Sequence, residues 1–155
     1  MHKLFMSSGI LFNHESQVRG PEFETRKMSK HVARVSNGLN EPLLLGNLNE
    51  VKDWGYAKDY VEGMWLMLQQ DTPDDFVMGT GESHTVREFA KLAFKEIGIE
   101  MEWVRSRTNE VGISEGKAFV KVAKEFYRPL ESNNYCADYR KTKKELGWYP
   151  KTTFR

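Results

Sequence analysis

The chain is short of several things, and each shortage removes a class of function. It has a single cysteine, Cys136, among 155 residues. No internal disulfide can form, and no cysteine-based metal cage can be built. With no activating neighbour in sequence, Cys136 reads as a small packed residue rather than a nucleophile. Net charge is only +1, so there is no broad basic field for nucleic acid and no acidic tail. No apolar run is long enough for a membrane span, and Met1 to Ser8 is too short and interrupted for a signal peptide. The expectation is a cytoplasmic protein with no membrane and no nucleic-acid partner. Repeats and low-complexity tracts are missing. So is a glycine-rich phosphate loop between a strand and a helix: Gly79-Thr80-Gly81 is the nearest glycine pair, and no third glycine follows in register.

What is present suits one ordinary α/β domain. Hydrophobic residues make up 39% of the chain, enough for a real core. The pattern predicts a strand near Gly9 to Asn13, whose Ile10-Leu11-Phe12 run suits burial on both faces. Pro21 suits the first turn of a helix. Met28, Val32, Val35 and Leu39 lay one apolar stripe along that helix, and Asn37-Gly38 stops it. Leu43-Leu44-Leu45 reads as a second short buried strand. After Gly55, Ala57, Tyr60, Val61, Met64, Trp65 and Leu68 follow helical spacing and read as core. Phe76-Val77-Met78 predicts a strand. Thr85 and Glu88 form a capping box for a helix that Gly98 closes. Met101–Val104 and Ala118–Val122 predict strands, with Gly112–Gly116 as a loop between them. The last helix is expected from an Asp138 cap to Gly147, with Arg140, Lys141, Lys143 and Lys144 on a solvated face.

The run from Gly9 to Arg19 is the most informative segment. An apolar strand stops abruptly in Asn13, His14, Glu15, Ser16 and Arg19. In open α/β sheets, ligands bind just beyond the carboxyl ends of strands. The residues alone leave two readings: a ligand site, or a loop whose polar groups bond to backbone.

Leu11-Phe12-Asn13-His14-Glu15-Ser16, then Arg19-Gly20 and Thr25-Arg26-Lys27, resembles the GDP-mannose 4,6-dehydratases, which are extended short-chain dehydrogenase/reductase enzymes. Three further blocks agree in order. They are Gly46-Asn47-Leu48 through Asp53-Trp54-Gly55 to Tyr60-Val61; Asp75-Phe76-Val77 through Thr80-Gly81-Glu82 to Phe89; and Tyr127-Arg128-Pro129 with Glu131, then Lys143 to Trp148. The resemblance implies a partial fold of that class: mainly the C-terminal substrate-binding portion, with a remnant of the Rossmann sheet. As domains it implies a single partial domain over residues 1–155. About 1–20 would be the end of the Rossmann half, and 21–155 a mixture of Rossmann remnant and substrate-binding portion.

By resemblance, His14 and Arg19 are contacts to NADP. Asn13, Lys27, Lys52, Arg128 and Glu131 are contacts to a nucleotide sugar such as GDP-mannose. Arg128 would meet the diphosphate with a planar fork, and Glu131 would accept from a ribose or base. For Arg128 and Glu131 a surface ion pair is the alternative. Two departures stand out. Lys52 replaces the family's Arg before Asp-Trp-Gly and loses the bidentate geometry. Val18-Arg19 replaces a double Arg. The family's catalytic Tyr and Lys have no counterpart in these residues. Tyr139 and Lys143 have the right spacing but fall in the last helix, so no catalytic residue is assigned.

The implied parent activity is NADP-dependent conversion of GDP-mannose to a 4-keto-6-deoxy sugar nucleotide, feeding GDP-fucose and related deoxyhexoses. It is the activity of a homo-oligomeric lyase. This chain is expected to be a truncated form, inactive alone. The alternatives are a catalytically dead binding or interaction subunit of an intact paralogue, or another nucleotide-sugar epimerase or reductase.

Overall fold

The structure, a computed structural model, describes residues 4–105, 107–128 and 135–155. Its first half holds β1 (Gly9–Leu11), β2 (Asn13–Glu15), α1 (Glu24–Ser36), β3 (Leu43–Leu45), β4 (Val51–Lys52), β5 (Trp54–Tyr56) and α2 (Ala57–Met67). Then come β6 (Phe76–Met78), β7 (His84–Thr85), α3 (Val86–Lys95), β8 (Glu102–Val104), β9 (Val111–Ser114), β10 (Lys117–Val122) and α4 (Arg140–Leu146). These elements pack as two compact units. One is built from residues 4–17, 52–84 and 135–155, the other from 18–51 and 85–128.

In the first unit β1 runs parallel to β6, pairing Gly9 with Phe76 and Leu11 with Met78. Directly after it, β2 runs parallel to β5, pairing Asn13 with Trp54. The core gathers Tyr60, Met67, Phe76, Met78, Leu146 and Trp148, with Leu11 and Tyr139 against it. Trp148 is the hub: its ring meets Tyr60 and Tyr139 edge-on at 5.8 and 6.0 Å, and its Nε1–H donates to the Asp59 carbonyl at 2.6 Å.

The second unit carries a four-stranded mixed sheet in the order β3-β10-β9-β8. β3 is parallel to β10, and β9 is antiparallel to both its neighbours. Helices α1 and α3 bury Met28, Val32, Val86, Ala90 and Phe94 with Leu43, Leu45 and Val120 of the sheet. The Thr85–Glu88 capping box forms in full: Thr85 Oγ1 accepts from Glu88 N at 3.1 Å, and the Glu88 carboxylate accepts from Thr85 N at 2.7 Å.

Several expectations are corrected. α2 forms where predicted but buries a different face. Tyr60, Gly63 and Met67 point inward, while Val61 (61% exposed), Trp65 (60%) and Leu68 (61%) face out. The reason is Gly63: a methyl there would meet the Met78 thioether at 2.7 Å, so the helix sits down on β6 through its glycine. Ile10 of β1 is exposed, so that strand is not covered on both sides. Leu44 is likewise exposed while Leu43 and Leu45 are buried, so β3 alternates. Pro21 lies in a turn that closes from Phe23 N to Gly20 O, ahead of the helix proper. Val111–Ser114 is a strand; only Glu115-Gly116, both at positive φ, make the turn of the hairpin. Tyr139 rather than Asp138 immediately precedes α4; the Asp138 carboxylate accepts from the backbone N–H of Arg140 at 3.2 Å and from its side chain at 2.6 and 2.8 Å. Cys136 is exposed rather than packed.

Candidate functional site

In the first unit, β1 and β6 end together, and the residues after them converge. Phe12 N–H donates to Met78 O at 2.9 Å, which carries the register past the end of β1. Asn13 follows, exposed, in β2. His14 is half-buried and lies over the Tyr60 ring at 4.8 Å. Its Nδ1–H donates to the Phe12 carbonyl at 2.9 Å. That bond sets the tautomer and leaves Nε2 as the acceptor in the neutral ring. Tyr60 is fully buried, and its hydroxyl meets no hydrogen-bond partner among the described residues. Burial, with the Asp53 and Asp59 carboxylates adding to it, pushes the phenol well above its ordinary pKa.

Lys52, the last residue of β4, stands half-buried two residues before β5, the partner of β2. Next to it, Asp53 is 2% exposed. Its carboxylate accepts from Thr80 N and Oγ1 at 2.8 and 2.7 Å, from Gly81 N at 3.0 Å and from Ala137 N at 3.1 Å. So Asn13 and His14 follow the carboxyl end of the parallel β1–β6 pair, where an open α/β sheet binds its ligand, and Asp53 ties Lys52, its neighbour in sequence, to the residues just beyond β6.

In the second unit, the Arg19 guanidinium lies 3.6 Å above the Phe23 ring, just before α1. Lys27 projects from the first turns of α1. Its Nζ donates to the Leu44 carbonyl at 2.7 Å and sits 4.2 Å from the Phe126 ring centroid. Burial lowers the Lys27 pKa, against the opposing pull of Glu24 and Glu125. Arg128, exposed, follows Phe126 by two residues. The unit thus brings Lys27 to the segment that leads into Arg128. Glu131 lies outside the described residues.

Two features were missed in the sequence. One is the Asp53 cluster, whose donors are 27 to 84 residues away. The other is a buried ion pair in the second unit: Arg87 donates to both oxygens of Glu110, and its Nη2 also donates to Asn49 Oδ1 at 2.7 Å. Neither has a local signal; only the glycine pair of Gly79-Thr80-Gly81 hinted that backbone approaches closely there. Tyr139 packs on Trp148, and Lys143 is exposed on α4. Among the described residues, no three His, Cys, Asp or Glu side chains are grouped to hold a metal, and no helix is long and apolar enough to cross a membrane.

The family model described as GDP-mannose 4,6 dehydratase matches residues 1–155. The GDP-mannose 4,6 dehydratase of Dictyostelium discoideum is 49% identical over 99% of this chain, which covers 44% of that protein. The enzyme of Homo sapiens is 49% identical over 99% of the chain, covering 42% of it. The chain thus spans less than half the length of these curated relatives. Among solved structures, RMD from Pseudomonas aeruginosa complexed with NADPH superposes on 94% of the chain with a TM-score of 0.74 at 16% identity, over 43% of its own length. The dTDP-glucose 4,6-dehydratase of Bacillus anthracis, in complex with NAD, gives 0.68 at 19% identity, over 94% of the chain and 40% of its own.

Proposed function

The chain belongs to the GDP-mannose 4,6-dehydratase family, and we propose that it carries the nucleotide-sugar-binding portion of such an enzyme without a complete catalytic apparatus. Its fold is a partial extended short-chain dehydrogenase/reductase fold. The observation that carries the reading is the family match along all 155 residues. Asn13 just beyond β1 and Lys52 beside Asp53 support it in the first unit, and Lys27 with Arg128 in the second. The ligand we assign is a guanosine diphosphate sugar, GDP-mannose being the parent substrate. A cation meets the diphosphate, and an exposed amide such as Asn13 suits a sugar hydroxyl.

A nicotinamide cofactor, NADP in the finer reading, would supply hydride transfer when bound. The donor set in this chain fits only part of it. His14 offers one ring acceptor and Arg19 one guanidinium. The pyrophosphate of a dinucleotide calls for a glycine-rich turn at a helix N-terminus, and these residues include none. No chemical step is therefore assigned to this chain. The cytoplasm and a homo-oligomeric assembly belong to the same proposal.

Calorimetry tests the binding reading. Arg128→Ala should weaken GDP binding by about tenfold to a hundredfold, the usual worth of a charged phosphate contact. Arg140→Ala, on the solvated face of α4, should change little. Equal losses, or none for Arg128→Ala, would refute the assignment. Incubation of the chain with NADP and GDP-mannose should give no 4-keto product; turnover above background would overturn the incomplete-enzyme reading.

A further inference from the structure

We infer that Asp53 is a positioning residue, whose buried carboxylate holds Lys52 and Asn13 at the carboxyl end of the β1–β6 pair and so acts on a bound diphosphate through Lys52. The inference rests on the proposed nucleotide-diphosphate reading of that end. A carboxylate has about four lone-pair sites, and Asp53 fills them with the four donors from Thr80, Gly81 and Ala137. A saturated carboxylate is spent as a base or a metal ligand. What it does is fix geometry. It ties the start of β5, the turn after β6 and the stretch at Ala137 to one point.

Gly79 shows how tight that point is. A methyl there would lie 2.2 Å from the Ala137 Cβ, 3.0 Å from Asp53 Oδ2 and 3.2 Å from the Phe12 Cβ. Phe12 leads directly into Asn13, and Asn13 pairs with Trp54, the neighbour of Asp53. The placement of both proposed ligand residues therefore depends on the same knot. An apolar side chain could fill the space but would leave three backbone N–H groups without an acceptor, which is costly when buried.

Asp59 is the internal control. It too is buried, at 7% exposed, and its Oδ2 accepts from Lys151 N and Thr152 N, each at 2.9 Å. It ties α2 to the C-terminal segment and takes no part in the knot around Gly79.

The experiment compares Asp53→Asn with Asp59→Asn in the whole chain, titrating GDP and GMP by calorimetry. Asparagine replaces one acceptor oxygen with an N–H donor, so each variant loses part of its cluster and both lose stability. Asp53→Asn should lower the ratio of GDP to GMP affinity about tenfold, as loss of one charge-assisted phosphate contact does; Asp59→Asn should leave the ratio unchanged. In a Lys52→Ala background Asp53→Asn should lower the ratio no further, since the two act through one contact. Thr80→Val, which deletes one donor, should give a smaller drop and decides the matter if Asp53→Asn does not fold. Equal ratios in the two aspartate variants, or full additivity with Lys52→Ala, would overturn the inference. If the unaltered chain binds neither nucleotide, the diphosphate reading fails and amide exchange decides the positioning role. Faster exchange at Trp54, Gly81 and Ala137 in Asp53→Asn but not in Asp59→Asn sustains it; unchanged exchange refutes it.

Discussion

Removing the Glu110 carboxylate should destabilise the second unit strongly, because it strands a guanidinium that the fold has partly buried. Glu110 is 8% exposed at the side chain and Arg87 24%. Arg87 also donates to Asn49 and lies 4.9 Å from the Trp103 ring centroid. Three stretches meet on it: the start of α3, the turn before β4, and the residues leading into β9. Breaking a buried pair from one side costs about 3–5 kcal/mol. Water reaches part of Arg87, and Asn49 remains, so about 2–3 kcal/mol is expected for Glu110→Ala. An exposed pair such as Lys141–Asp74, with side chains 45% and 51% exposed, should contribute no more than about 1 kcal/mol. The assay is urea unfolding followed by tryptophan fluorescence, with the slope checked for constancy. The double variant Arg87→Met/Glu110→Leu should recover much of the loss, since no charge is then left buried and unpaired. A Glu110→Ala loss below about 1 kcal/mol, or a double variant that loses the sum of the two single changes, would refute the reasoning.

Tyr60→Phe should cost nothing and should stabilise by up to about 1 kcal/mol, because it removes a buried hydroxyl without a partner among the described residues; a clear loss in thermal unfolding would mean that the hydroxyl is satisfied. Stability should fall as pH drops below 6.5, the ordinary histidine value, in part through His31. Burial lowers its folded-state pKa, against a bond to the Glu41 carbonyl. The unfolded chain therefore binds the proton first, and the stabilisation present above 6.5 is lost as pH falls toward the folded value; His31→Gln should flatten that part of the urea-midpoint profile. Trp65→Lys should reduce self-association, because Val61, Trp65 and Leu68 form an exposed apolar strip on α2 of the kind that drives it; light scattering showing no difference from the unaltered chain would count against this.

The elements that sequence announced best are those whose signals are local. α3 carries its own capping box, its own stripe and a glycine stop, with Gly98 at φ 78°, and nothing from elsewhere in the chain was needed to read it. α2 carries a broader apolar band than it can bury in this unit. Periodicity detects such a band, yet the partner chooses which part is used, and here the choice follows from Gly63 fitting against Met78. β9 escaped for the opposite reason. Gly112 has a poor strand preference of its own, but a methyl there would lie 3.0 Å from the Trp103 ring, so tertiary packing overrides the loop signal.

The candidate site divides along the same line. Asn13 and His14 were legible because the change from apolar to polar is written in consecutive residues at a strand end. Lys27, Lys52 and Arg128 were legible only through resemblance, since a single cation on a helix or strand has no spacing to betray it. Asp53 and Asp59 look alike in sequence: each is an acidic residue beside aromatic and small neighbours, six positions apart. In the fold they hold different things, Asp53 a turn and a return stretch at the strand ends, Asp59 the chain terminus. A carboxylate takes its role from the donors that reach it, and those donors lie 27 to 93 residues further along the chain. Local pattern can therefore find where a ligand approaches, while the groups that hold that place in shape emerge only when distant backbone comes together.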